Sequence, residues 1–186
     1  MLALQGGFAA HERVLRELGA DVREVRTPAD ISGPPSLDGL VLPGGESTTM
    51  TLGVQREGLA EPLRAFAASG RPMLGTCAGL ILLDREHLGV MDLEARRNAF
   101  GRQVHSFEAQ LRFEDLDGEP VRAVFIRAPW ISDAGPEVEI LASVDGHGVA
   151  ARQGHLLVLS FHPELGGDRR LHERFLADVR RLRDTR

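Results

Sequence analysis

The chain has 186 residues, a net charge of -5, 42% hydrophobic residues and one cysteine, Cys77. This is enough chain for a single domain over residues 1–186 with its own core; an internal disulfide is excluded, and no apolar run approaches the ~20 residues of a membrane span, so the chain reads as soluble and cytoplasmic. Acidic and basic residues are interspersed, which points away from a nucleic-acid or membrane surface, and the absence of lysine excludes a Walker-type phosphate loop and Schiff-base chemistry.

Leu2-Ala3-Leu4 reads as a very short first strand that runs into Gln5-Gly6-Gly7. A helix follows through Val14, Leu15 and Leu18, closed by Gly19. Val22 to Val25 makes a second strand, and Pro28 to Pro35 a loop. Gly39-Leu40-Val41-Leu42 is a third strand that stops at Pro43-Gly44-Gly45. Ser47-Thr48-Thr49 offers an N-cap for a short helix, and a longer one runs from about Leu59 to Ser69, with Pro62 tolerable in its first turn and Gly70 ending it. Alternating strands and helices argue a doubly wound, mostly parallel, flavodoxin-like α/β sheet. Ligands in such sheets bind at the carboxyl ends of strands.

The next strand leads into Gly75-Thr76-Cys77-Ala78-Gly79, followed by the helical run Leu80-Ile81-Leu82-Leu83. A nucleophile flanked by glycines between strand and helix is the pattern of a nucleophile elbow. A lone cysteine between apolar runs is ordinarily an inert core residue, so the functional reading requires a base.

From about Ala99 the chain turns β-rich. Gln103 to Phe107, Ala109 to Phe113, Val121 to Ile126, Val138 to Ser143, Gly148 to Ala151 and Leu156 to Ser160 are short, strand-like and separated by turn residues. They extend the sheet and add antiparallel pieces. A last helix from about Asp168 to Arg183 carries Leu171, Phe175, Leu176, Val179 and Leu182 on one face.

The final strand ends in Phe161-His162-Pro163-Glu164. Pro163 forces His162 into extended backbone, where residues two apart share a side, so His162 and Glu164 can act together. A cysteine nucleophile needs a base and a carboxylate to orient it, and Cys77, His162 and Glu164 supply these types in that chain order. Backbone amides at Gly45 and Ala78 are candidates for an oxyanion hole. His11, His87, His105, His147, His155 and His172 read as ordinary structural or surface histidines.

The elbow, the Pro43-Gly44-Gly45 turn and His162-Pro163-Glu164 together resemble the triad-type, class I glutamine amidotransferases. More narrowly, the segments from Leu42 to Thr49, from Arg97 to Gln103 and from Phe125 to Pro129 are similar to the glutaminase subunit of pyridoxal 5'-phosphate synthase. The resemblance implies hydrolysis of L-glutamine to glutamate and ammonia through a thioester on Cys77, with ammonia delivered to a separate synthase subunit in a hetero-oligomeric complex. It implies substrate contacts from Gly45, Glu46, Ser47, Arg97, Ile126 and Arg127, no metal and no cofactor. It also implies low activity until the synthase docks, with the turn at Gly44 and Gly45 rearranging. A glutaminase for another ammonia-accepting synthase and a non-catalytic glutamine-sensing subunit are the alternatives. The intact triad speaks against the second.

Overall fold

In the computed structural model, residues 1–97, 106–114 and 116–185 are described. The core is set by strict alternation along three short parallel strands, β1 (Leu40–Leu42), β2 (Met73–Thr76) and β9 (Leu156–Leu159). Successive side chains of a strand point to opposite faces. Leu40, Leu42, Met73, Leu156 and Val158 therefore enter one apolar cluster, while Val41, Leu74, Leu157 and Leu159 enter another. A sheet with both faces covered needs this continuous apolar run.

Three helices cover the first face: α3 (Ser47–Arg56), α4 (Ala60–Ala68) and α5 (Ala78–Leu83), through residues such as Met50, Phe66 and Leu80. The second face is covered by α1 (Phe8–Glu17) and α6 (Arg170–Arg183), which contribute Leu15, Leu171, Phe175 and Leu176. Each such buried side chain contributes roughly 1.5–3 kcal/mol. Its amphipathic pattern makes α6 legible, and its arginines lie away from the apolar stripe.

Beyond β9 the sheet turns antiparallel through β8 (His147–Gln153), then β6 (Trp130–Ala134) and β3 (Leu93–Arg96), with β7 (Glu139–Val144) also paired to β8. A separate hairpin, β4 (Ser106–Leu111) with β5 (Val121–Ile126), lies over the second face through Leu111, Val121, Ala123 and Phe125. The mostly parallel centre with added antiparallel strands is the architecture expected from the sequence.

Several local expectations are corrected. The anticipated strands at Leu2–Leu4 and Val22–Val25 are reduced to one parallel bridge between Leu2 and Val25. Leu2 nevertheless donates to the Val41 carbonyl and Ala3 to that of Val25, so these segments continue the sheet past β1. The supposed loop from Pro28 begins with a helical turn, α2 (Pro28–Ser32), because the Asp30 carboxylate accepts from the Arg26 and Thr27 amides and Pro28 suits a first helical position. The two strands read at Gln103–Phe107 and Ala109–Phe113 are one, β4, as far as they are described, and Asn98 to His105 lie outside the described residues. Helix α3 is capped by Glu46 rather than by the Ser47-Thr48-Thr49 run: its carboxylate accepts from the amides of Thr48 at 3.1 Å and Thr49 at 2.8 Å.

Candidate active site

Strand β2 ends at Thr76, and α5 starts at Ala78, so one residue must make the whole turn. Cys77 does so with φ 49° and ψ -104°, outside the favoured regions for an L-residue. Such strain persists only where the surroundings over-determine it. Here the Cys77 amide donates to Leu159 O at 2.8 Å, tying the turn to β9. Helix α5 then packs directly on β1: a Cβ at Gly79 would stand 2.1 Å from the Leu42 carbonyl oxygen.

The neighbouring strand, β9, delivers the candidate base. His162 follows it by three residues, held by its amide on Val124 O at 2.8 Å. Its Nδ1 lies 2.8 Å from Glu164 Oε1, and its ring lines the same cleft as Cys77, whose thiol donates to Ile126 O at 3.9 Å. Burial opposes a charge on His162, but the nearby Cys77 sulfur and Glu164 carboxylate outweigh it and hold the imidazole above its ordinary pKa. Glu164 is itself nearly enclosed, with 2% of its side chain exposed. Burial alone would raise its pKa; hydrogen bonding to His162 and the neighbouring His11 reverse the sign and keep it ionised.

Cys77 and His162 face a cleft of about 360 Å³ lined also by Gly44, Gly45, Glu46, Ser47, Ala78, Arg97, Ile126 and Arg127 among others. It lies at the small end of the ~300–1,000 Å³ typical of ligand pockets, suited to a small molecule. Cys77 is only 6% exposed, so the sulfur is reached through this cleft. The carboxyl end of β1 forms the adjoining wall, where the Gly44 carbonyl accepts from Gly7 and the Glu46 amide donates to Gln5 Oε1 at 2.8 Å. Arg97 bridges to Glu46 Oε1 at 3.0 Å and to Thr48 Oγ1 at 2.9 Å. The hydrogen bonds from Thr49 and Thr48 hold the Glu46 carboxyl down at about pH 2.

Cys77, His162 and Glu164, the candidate triad, thus lie together at one rim of the parallel strands. The description of the SNO glutamine amidotransferase family matches residues 1–181. The chain belongs to this family. It is 51% identical over 191 residues to the pyridoxal 5'-phosphate synthase subunit PdxT of Mycolicibacterium vanbaalenii, covering 96% of each chain. It is also 51% identical over 187 residues to the protein of that name from Geobacillus kaustophilus, covering 97% of this chain and 93% of the other. A crystal structure of a glutamine amidotransferase superposes with a TM-score of 0.87 at 42% identity, covering 96% of each chain. The PurLQS structure from Thermotoga maritima, at 17% identity and a TM-score of 0.72 over 95% of each chain, shares the fold.

In this amidotransferase, the cleft brings together all the residues singled out from sequence except Glu164, which sits behind His162. The sequence reading missed Gln5, Gly7, Ile81 and Pro129, which also line it. Gln5 lies in the turn before α1, and only its proximity to the Gly44-Gly45 turn gives it a place here. His11 and His172, read as ordinary, lie directly behind the triad. His11 Nε2 is 3.0 Å from Thr76 Oγ1 and 3.1 Å from Glu164 Oε2, and His11 Nδ1 is 2.9 Å from His172 Nε2. No sequence signal links positions 161 residues apart.

Proposed function

We propose that this chain hydrolyses L-glutamine to L-glutamate and ammonia, and passes the ammonia to a partner synthase subunit that forms pyridoxal 5'-phosphate. The observation that carries the reading is the meeting of Cys77 and His162 in one small cleft, with Glu164 bonded to His162 behind it. The acceptor is supported by about 50% identity to chains named as pyridoxal 5'-phosphate synthase subunits.

In this mechanism the Cys77 sulfur attacks the side-chain amide carbon of glutamine. Backbone amides of Gly45 and Ala78 hold the developing oxyanion. His162, charged and oriented by Glu164, gives its proton to the leaving nitrogen, and ammonia departs as the γ-glutamyl thioester forms. Water then attacks the thioester carbonyl and loses a proton to His162. Collapse releases glutamate, and the sulfur is restored.

Gly45, Glu46, Ser47, Arg97, Ile126 and Arg127 contact the amino-acid portion. A guanidinium suits the α-carboxylate and a carboxylate the α-ammonium. Since Arg97 and Glu46 now pair with each other, substrate takes over part of that pairing when it binds. The ties of the β1 turn to Gly7 and Gln5 are what docking of the synthase would rearrange.

The test is glutamine-dependent formation of pyridoxal 5'-phosphate by this chain together with a candidate synthase subunit. Cys77→Ala should abolish it while ammonia supplied directly restores product. Retained glutamine dependence in Cys77→Ala would overturn the mechanism.

A further inference from the structure

Glu164 is clamped from two sides. One oxygen meets His162; the other lies 3.1 Å from Nε2 of a completely buried second imidazole, His11. Nε2 also meets the Thr76 hydroxyl with hydrogen-bond geometry, so its approach to Glu164 is a close lateral contact beside that bond. The proton positions follow from this arrangement. A bare ring nitrogen carries partial negative charge and would stand 3.1 Å from a carboxylate, so Nε2 carries the hydrogen and donates it to the Thr76 hydroxyl. His11 Nδ1 is then an acceptor, and the nitrogen 2.9 Å away, His172 Nε2, must donate to it. His172 Nδ1, without a hydrogen-bond partner among the described residues, is left as a bare acceptor.

Both rings are buried and supplied by different helices, His11 by α1 and His172 by α6. The two helices on the second face of the sheet therefore reach the site through one line of contacts, from His172 through His11 to Glu164, His162 and the sulfur.

We propose that His11 is a positioning residue for the glutaminase reaction, its Nε2–H, bonded to Thr76, standing 3.1 Å beside the far oxygen of Glu164 and its tautomer set by His172. The inference rests on the glutaminase reading above. His11 touches neither substrate nor sulfur. It acts by denying the carboxylate its other rotamers, so that Oε1 stays on His162 Nδ1.

The experiment compares His11→Leu, His11→Gln and Cys77→Ala with the unaltered chain, each assayed with the synthase subunit present. Leucine fills the space without a donor and should lower kcat by about 10-fold or more while KM stays within roughly 2-fold. Glutamine places an amide N–H near the position of Nε2 and should recover most of kcat. Unaltered kcat in His11→Leu, or no rescue by glutamine, overturns the role of His11. Turnover by Cys77→Ala would instead overturn the glutaminase reading. A measurement on the unaltered chain decides the case where leucine prevents folding: histidine nitrogen NMR should show His11 as the Nε2–H tautomer, and the Nδ1–H tautomer would overturn the inference.

Discussion

Gly44 and His162 touch so closely that no side chain fits between them. A Cβ at Gly44 would lie 2.4 Å from His162 Cε1 and 3.2 Å from the Cys77 Cβ. The glycine turn at the end of β1 therefore sets the position of the His162 imidazole as well as the wall of the cleft. Gly44→Ala should displace the imidazole from the sulfur while leaving the sheet, whose register depends on β1 and β2, in place. Glutaminase activity should fall by about 100-fold, the size of effect expected for a misplacement near 1 Å. Steady-state kinetics and circular dichroism check it; full activity would mean that the turn yields instead.

Replacing Glu164 by glutamine removes the charge and leaves one carbonyl oxygen to face two imidazoles, His162 at hydrogen-bond distance and His11 in close contact. One of them must face the amide NH2 group. The expected result is a fall in kcat of about 100-fold. The loss should be smaller than for His162→Asn, which removes the proposed proton carrier itself. Measuring both variants at saturating glutamine separates orientation from proton transfer.

How much of this could be read from the chain depends on range. The elbow at Cys77 and the His162-Pro163-Glu164 run are local patterns, and local patterns carry their own geometry. Glycines permit the turn, proline fixes extended backbone, and residues two apart share a side. Strands β1, β2 and β9 were legible because apolar runs bounded by turn residues leave few other readings. Strand β3, Leu93-Glu94-Ala95-Arg96, carries no β-branched residue and forms through pairing with β6, so propensity did not reveal it. The Leu2 and Val25 segments have strand composition but meet at only one bridge, which no local rule shows. The clamp on Glu164 was invisible for the same reason: His11, Thr76 and His172 are brought together only by the sheet and the helices on its second face.

Arg97 and Glu46 form a half-exposed pair across the mouth of the cleft, the guanidinium also reaching Thr48. Exposed pairs of this kind add little to stability. Arg97→Ala should leave thermal unfolding nearly unchanged. If the pair is exchanged for contacts to the α-carboxylate and α-ammonium of glutamine, KM should rise by about 10-fold with a smaller change in kcat. Thermal unfolding together with glutamine saturation curves checks both halves. An unchanged KM would remove Arg97 from the substrate contacts.

The buried histidines give the fold a defined weakness toward acid. Burial, reinforced by the neighbouring His11, lowers the pKa of His172 from 6.5 to about 4, and burial also lowers that of His11. In the unfolded chain both titrate near 6.5. Between these values the unfolded chain binds a proton that the folded chain refuses, so stability rises with pH. The contribution is complete above about 6.5 and is lost as pH falls toward 4. For His172 the loss amounts to on the order of 3 kcal/mol. Glu164, whose folded pKa is depressed, adds a separate loss that begins below its ordinary value of 4.5. Urea unfolding should therefore weaken progressively between pH 6.5 and 4.5, before carboxylates contribute. In His172→Phe the slope over that interval should be shallower, provided the variant folds at pH 7. An unchanged slope would mean that His172 takes up its proton inside the folded protein.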